Sequence, residues 1–301
     1  MKNHPVALEL APHIALATGG SFEPVECTPV GGGCIHEALR LEGRTPLGSR
    51  VFFVKVNEAQ QAPLFASEAD GLAALREARA LRVPETITQG ESEERAWLVL
   101  EWLDLVPLDA ASGATLGLAL AAQHRVSRPR HGWARDNHIG ATPQVNAESE
   151  SWHEFFRDRR LFPQLRLAAR NRLPSRMIDR GERLLADCGA FLSSHRPLPS
   201  LLHGDLWSGN AAALADGTPV AFDPAVYAGD READLAMTEL FGGFPPDFHS
   251  AYREAWPLDT DYRTRRDLYN LYHLLNHANL FAGSYVRQSE EAIGRLMAQV
   301  A

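Results

Sequence analysis

Asp205 and Asn210 are separated by four residues in His203-Gly204-Asp205-Leu206-Trp207-Ser208-Gly209-Asn210, directly after the apolar pair Leu201-Leu202. Thirteen residues after Asn210, the apolar run Val220-Ala221-Phe222 ends in a second carboxylate, Asp223, followed by Pro224. A tight loop can bring Asp205 and Asn210 to one side of a cleft. There the carboxylate accepts a proton from an attacking hydroxyl, or orients it, and the amide reaches a metal ion on a phosphate group. A carboxylate at the end of the next strand can hold Mg2+ that bridges nucleotide phosphates. This is the chemistry of phosphoryl transfer. The competing reading makes both aspartates loop caps and turn formers.

Two residues far upstream favour the chemical reading. In Val51-Phe52-Phe53-Val54-Lys55-Val56, side chains alternate between faces, so Lys55 shares a face with Val51 and Phe53. Both faces are otherwise apolar, and a buried ammonium needs an anionic partner. The alternative is a lysine at a strand end whose head reaches water. Glu68 follows Phe65 by three residues and precedes Leu72 and Leu75 by four and seven, which puts it on the apolar face of a helix. A strand lysine paired with a helix glutamate positions ATP phosphates in protein-kinase-like enzymes, and H-x-D-x-x-x-x-N is the pattern of their catalytic loop. Gly31-Gly32-Gly33-Cys34 lies between two predicted strands and could let backbone N–H groups approach a phosphate, or could be an ordinary hairpin turn. Neither G-x-x-x-x-G-K-[ST] nor G-x-G-x-x-G occurs in the chain.

These residues need elements to hold them. Residues 1–104 read as a mixed ATP-binding lobe: a helix over Pro5–Ala17, strands around Val51–Val56 and Trp97–Leu103, and a helix over Pro63–Ala80. Residues 105–301 read as a mostly helical catalytic and substrate-binding lobe, interrupted at Ser200–Asp223 by strand, loop and strand with a turn at Asp216-Gly217. Arg128–Asn146, rich in Pro, Gly, His and Asn, is predicted to be a long loop or a lid. Arg263–Phe281 reads as a helix near the end of the chain. The expected fold class is α+β, with a small β-rich lobe and a larger helical lobe around a cleft.

The chain has 301 residues and a formal charge of −8, which disfavours a broad basic surface for nucleic acid. No run approaches the ~18–20 apolar residues that span a bilayer. The opening MKNHPVALEL carries a proline and a glutamate where a secretory signal would be apolar. The three cysteines, Cys27, Cys34 and Cys188, have no C-x-x-C spacing and read as reduced thiols. The expected location is cytoplasmic.

The octapeptide from His203 to Asn210 resembles the signature of fructosamine/ketosamine 3-kinases, a family of protein-kinase-like fold related to aminoglycoside and choline kinases. Gly31-Gly32-Gly33-Cys34-Ile35, Val54-Lys55-Val56-Asn57, Pro143-Gln144-Val145-Asn146 and Phe241-Gly242-Gly243-Phe244-Pro245 are similar to the same family. The resemblance implies ATP-dependent phosphorylation of the 3-hydroxyl of a ketosamine, with a product that breaks down spontaneously. It implies Asp205 as base, Asn210 and Asp223 as Mg2+ ligands, and Lys55 with Glu68 holding ATP. It also places adenine at the backbone of Glu101 to Leu103. Trp207 would stack on the sugar of a small ketosamine or glycated lysine, unless it is a core aromatic. His203 is grouped with it as a substrate residue. Loop cysteines of related enzymes imply a choice between a monomer and a redox-linked homodimer through Cys34.

The chain departs from the pattern in places. Pro224 after Asp223 argues against a mobile activation-loop switch. His36 stands where the family more often has a small polar residue; it either touches phosphate or is exposed, and exposure is the expectation. Asp230 and Asp234 are expected to cap a helix and brace the catalytic loop. The spacing of His124, His131 and His138 fits no compact metal site, so solvent or loop contacts are expected. Arg157-Asp158-Arg159-Arg160 reads as a solvated face, or as a contact for an anionic substrate. Two other functions compete: a kinase of aminoglycosides or other amino alcohols, and a nucleotide-binding pseudokinase scaffold. The Trp207-Ser208-Gly209 filling argues against the first, and intact Lys55, Asp205, Asn210 and Asp223 argue against the second.

Overall fold

Period-two alternation organises the first lobe. In the computed structural model, which describes residues 4–31 and 35–300, Phe52, Val54 and Val56 point to one face of a sheet and Phe53 and Lys55 to the other. The sheet contains β1 (Glu23–Pro29), β2 (Glu37–Thr45), β3 (Gly48–Glu58), β4 (Thr86–Glu91) and β5 (Arg95–Glu101). Its order is β1-β2-β3-β5-β4, and every neighbouring pair is antiparallel. Helix α1 (Pro5–Thr18) covers the first face, packing Val6, Leu10 and Ile14 on Leu39, Leu41, Phe52, Val54 and Val99. Helix α2 (Ala62–Ala78) covers the second, with Phe65, Leu72 and Leu75 against Leu98 and Leu100.

The second lobe starts with a short strand β6 (Leu105–Val106) and helix α3 (Ala110–His124). Asp109 and Ser112 cap α3 reciprocally. A hairpin of β7 (Asn137–Ile139) and β8 (Thr142–Gln144) follows. Next come α4 (Trp152–Phe156), a π-helical turn over Arg157–Leu161, α5 (Phe162–Arg170), α6 (Ser175–Asp187) and the single turn α7 (Gly189–Leu192). The predicted strand–loop–strand segment holds β9 (Ser200–Leu202), β10 (Ala211–Leu214) and β11 (Pro219–Ala221), with β12 (Tyr227–Gly229) just beyond. Strands β11, β10 and β6 form one small sheet, and β12 pairs with β9 in another. The chain ends in α8 (Arg231–Leu240), α9 (Pro246–Ala255), α10 (Tyr262–Phe281) and α11 (Ser284–Met297). The core of this lobe packs Leu268, Tyr272 and Leu275 of α10 with Trp152, Phe155 and Phe156. Among the described residues, no helix is long and apolar enough to cross a membrane.

The segment 128–146 is a clasp rather than a lid. On one side it grips α2: Trp133 Nε1 and Arg135 Nη2 donate to the two carboxylate oxygens of Asp70 at 3.1 and 2.5 Å. The Ser67 hydroxyl gives its proton to the Pro63 carbonyl, so its oxygen accepts from His138 Nδ1 at 3.0 Å. On the other side the clasp grips the stretch after Asp223. Asn137 Nδ2 donates to the Val226 carbonyl at 2.7 Å, and Gln144 Nε2 to the Ala225 carbonyl at 3.1 Å. Gly132 and Ala228 exchange both backbone hydrogen bonds at 2.8 Å.

Arg160 corrects another expectation. It is fully buried, not on a solvated face. Its guanidinium lies 3.9 Å from the centroid of the Tyr227 ring and donates to the Val145 carbonyl at 2.6 Å and to Asn146 Oδ1 at 2.7 Å. No carboxylate among the described residues pairs with it; aromatic faces and carbonyls solvate the cation instead. His124 also differs from expectation: it sits inside α3, fully buried, and bonds Tyr252 and Asp234.

Gly71 of α2 packs closely against the stretch after Asp223. A Cβ there would stand 3.1 Å from Pro224 Cγ and 3.4 Å from Val226 Cγ1. A Gly71→Val substitution should overpack this contact and destabilise the protein by about 1–3 kcal/mol, read as a lower urea midpoint with an unchanged slope.

Candidate active site

Lys55 of β3 is almost completely buried, and three oxygens surround its ammonium. Nζ donates to Glu68 Oε1 and Oε2 at 2.8 Å each and to Asp223 Oδ1 at 2.6 Å. The pairing inferred from strand and helix periodicity therefore exists, and Asp223 joins it from across the cleft. Burial works against the lysine charge, but Asp223 and Glu68 outweigh it and raise its pKa. One ammonium between two carboxylates leaves one negative charge in excess. Burial pushes Glu68 upward despite Lys55, with Asp223 adding to the push. Desolvation also pushes on Asp223, yet Lys55 overcomes it and holds this carboxyl below its usual range.

Asp223 has φ 57, in the left-handed region. An aspartate tolerates this better than most residues, and the turn aims its carboxylate back at Lys55. The side chain stays 44 % exposed, so its second oxygen remains open to the cleft. Asn210 is buried beside it. Its Nδ2 donates to the Asp205 carbonyl at 2.9 Å, to Asp205 Oδ2 at 3.3 Å and to the Asp223 carbonyl at 3.5 Å. With the amide nitrogen committed in this way, Oδ1 is left as a ligand. Asp223 Oδ2 and Asn210 Oδ1 are hard oxygen donors of the kind Mg2+ takes, so these residues fit that ion.

The catalytic loop is held from behind. Asp234 of α8 accepts the His203 N–H on Oδ2 at 2.7 Å and the Gly204 N–H on Oδ1 at 2.8 Å, while His124 Nε2 bonds Oδ2 at 3.1 Å. Asp230 caps α8. Gly204 has φ 84, and a Cβ there would collide with the Ala225 carbonyl, so the turn requires glycine. His203 departs from its predicted role as a substrate residue. It is fully buried, its Nε2 bonds the Phe222 carbonyl at 3.1 Å, and its Nδ1 accepts the Asp205 N–H at 3.3 Å. It ties the loop to the strand that delivers Asp223. Burial lowers its pKa, which keeps the imidazole neutral in this role.

Burial, and then the charge of Asp223, push Asp205 up to about 7. Trp207 is 39 % exposed, and its ring meets that of Phe241 edge-on with centroids 6.3 Å apart. It is therefore not a core aromatic. Gly209 leaves room for the indole, and Gly243, at φ 94, leaves room for Ser208. At the predicted adenine edge the Glu101 side chain is engaged, accepting from Arg82 Nη2 at 2.8 Å and from the Glu85 N–H at 2.6 Å. The Glu101 N–H is also engaged, donating to the Glu85 carbonyl at 2.9 Å, whereas the Leu103 N–H makes no hydrogen bond among the described residues. Gly31 is exposed at the start of the glycine cluster; Gly32, Gly33 and Cys34 lie outside the described residues. The segment Arg128–Asn146 is the expected loop or lid region, but the grip of Trp133, Arg135, Asn137 and His138 on α2 and the Val226 carbonyl had no signal in the residues. His36, expected to be exposed, is half-buried.

A half-buried carboxylate close to a second one should cost stability once ionised. Asp205 titrates higher in the folded chain than its ordinary value of 3.8, so its penalty is absent at low pH and grows as pH rises to about 7. Asp205→Asn should raise the thermal midpoint at pH 8, and the gain should shrink as pH falls below 7.

Residues 7–299 match the sequence profile of the family described as fructosamine kinase. A probable ketoamine kinase from Synechocystis is 43% identical over 289 residues, covering 94% of each chain. The crystal structure of a candidate fructosamine-3-kinase from Haemophilus somnus 129PT superposes with a TM-score of 0.88 at 30% identity and covers 96% of both chains. At the level of fold alone, an ADP-bound aminoglycoside phosphotransferase matches with a TM-score of 0.61 at 11% identity. The bilobal α+β architecture is thus protein-kinase-like, and the chain belongs to the fructosamine kinase family.

Proposed function

We propose that this protein is an ATP-dependent ketosamine kinase that transfers the γ-phosphate to the 3-hydroxyl of a fructosamine or ribulosamine adduct. The observation that carries the reading is the convergence of Lys55, Glu68 and Asp223 on one ammonium, with Asp205 and Asn210 hydrogen-bonded beside them. In a chain of this family, that is the equipment of phosphoryl transfer.

In the proposed reaction the acceptor lies on the exposed Trp207 face and its hydroxyl donates to Asp205. The oxygen forms a bond to the γ-phosphorus as the bond to the β,γ-bridging oxygen breaks. ADP leaves, and the hydroxyl proton passes to Asp205. Lys55, kept charged by Glu68, stabilises the phosphate oxygens, and the Glu101–Leu103 backbone receives adenine. The loop Gly31-Gly32-Gly33-Cys34 covers the phosphates. Asn210 and Asp223 would hold Mg2+, which when bound neutralises charge on the phosphates. Residues 1–104 serve the nucleotide and 105–301 the acceptor. The 3-phosphate product decomposes, which frees the amine and makes the enzyme a deglycating one. Buried free thiols at Cys27 and Cys188 suit a cytoplasmic setting. The protein acts as a monomer, or as a homodimer linked through Cys34 under oxidation.

The test is ADP release with fructosyl-lysine and Mg2+, with the phosphorylated carbon identified by NMR. Asp205→Asn should lower kcat by about 10²–10⁴. Lys55→Met should act mainly through ATP. An unchanged rate in the Asp205 variant would overturn the assigned base. kcat/KM for ATP, which reports on the free enzyme, should rise with pH through about 7 as Asp205 loses its proton. Chelation by EDTA should stop turnover, and added Mg2+ should restore it.

A further inference from the structure

Asn57 stands two residues beyond Lys55 on β3 and so shares its face. Its amide is locked in one orientation. Oδ1 accepts the Glu58 N–H at 2.8 Å, while Nδ2 donates to the Ile35 carbonyl at 3.2 Å and to His36 Nδ1 at 2.9 Å. Because Nδ1 accepts, the ring proton of a neutral His36 sits on Nε2. The ring packs on Phe65 of α2, with centroids 4.8 Å apart, one turn before Glu68. His36 is thus held between β3 and α2, on the side of the sheet where Lys55 meets its carboxylates. It lies at the end of the glycine cluster, with Ala38 two residues on directly opposite Lys55. Among the described residues, Nε2 makes no hydrogen bond. Burial, followed by the charge of Lys55, pushes the imidazole down to about 4, so the ring is a neutral donor at physiological pH.

We propose that His36 contacts nucleotide phosphate, its Nε2–H donating to a β- or γ-phosphate oxygen of bound ATP. The proposal rests on the ATP reading above and adds a specific donor to it. A neutral N–H extends the cradle around Lys55 without placing a second cation beside the ammonium. Asn57 orients the ring before the ligand arrives, so little freedom is lost on binding. A ring present only to pack on Phe65 would need neither the amide lock nor the free N–H.

The experiment compares AMP, ADP and ATP binding to the full chain and to two variants. His36→Phe keeps the aromatic packing and removes the donor; His36→Gln keeps an N–H at similar reach. The phenylalanine variant should bind ATP about tenfold more weakly, raise KM for ATP without raising KM for the acceptor, and leave AMP affinity unchanged. The glutamine variant should recover most of the ATP affinity. Should the phenylalanine variant fail to fold, His36→Leu supplies the donor-free comparison. Equal ATP affinity in the donor-free variant and the native chain would overturn the proposal, as would an equal loss for AMP. A native chain that binds ATP while the variants behave alike sinks the His36 assignment alone. A native chain that binds none of the three nucleotides removes the ATP reading beneath it.

Discussion

One ammonium ties the two lobes together. Lys55 comes from the central strand of the small lobe, Glu68 from the helix beside it, and Asp223 from a left-handed turn in the large lobe. Taking these charges out of water is costly, and the arrangement persists only because the geometry is close and every lysine proton finds an oxygen. The excess negative charge is unfavourable in isolation. A divalent cation held beside Asp223, as in the proposed reaction, would relieve it. Local electrostatic discomfort of this kind is common where proteins work.

The rest of the architecture keeps those three elements in register. The clasp holds Asp70 and Ser67 of α2 with one side and the carbonyls of Ala225 and Val226 with the other. It thereby fixes the helix that carries Glu68 relative to the strand end that carries Asp223. A polar relay backs it: Arg160 donates to Asn146, which donates to Asn137, which reaches the Val226 carbonyl. Asp234 does the same for the catalytic loop by taking two consecutive backbone N–H groups.

Much of this was legible in the residues, for reasons that can be named. Lys55 and Glu68 were found because each breaks an apolar periodicity, of two in a strand and 3.6 in a helix, and a charge on a buried face demands a partner. The Asp205–Asn210 spacing is short and local, so its chemistry survives translation from sequence to loop. The clasp was not legible. Its bonds to backbone carbonyls span 89 and 81 residues, and such contacts leave no periodic trace. Arg160 was misread because charge runs usually face water; here a π-helical turn rotates it inward onto Tyr227. His203 was grouped with substrate residues because it adjoins the base in sequence, whereas the glycine turn after it sends its ring into the core.

The proline after Asp223 carries a wider consequence. Many kinases gain an idle state by letting the stretch beyond this carboxylate swing away or disorder. In this chain the Pro224 ring lies against Gly71, and the residues after it are stitched to Gly132, Asn137 and Gln144. Swinging out would tear contacts in both lobes at once. The machinery is therefore standing rather than summoned, assembled when the polypeptide folds. Folding alone, with no later ordering of this stretch, sets Asp223 beside Lys55.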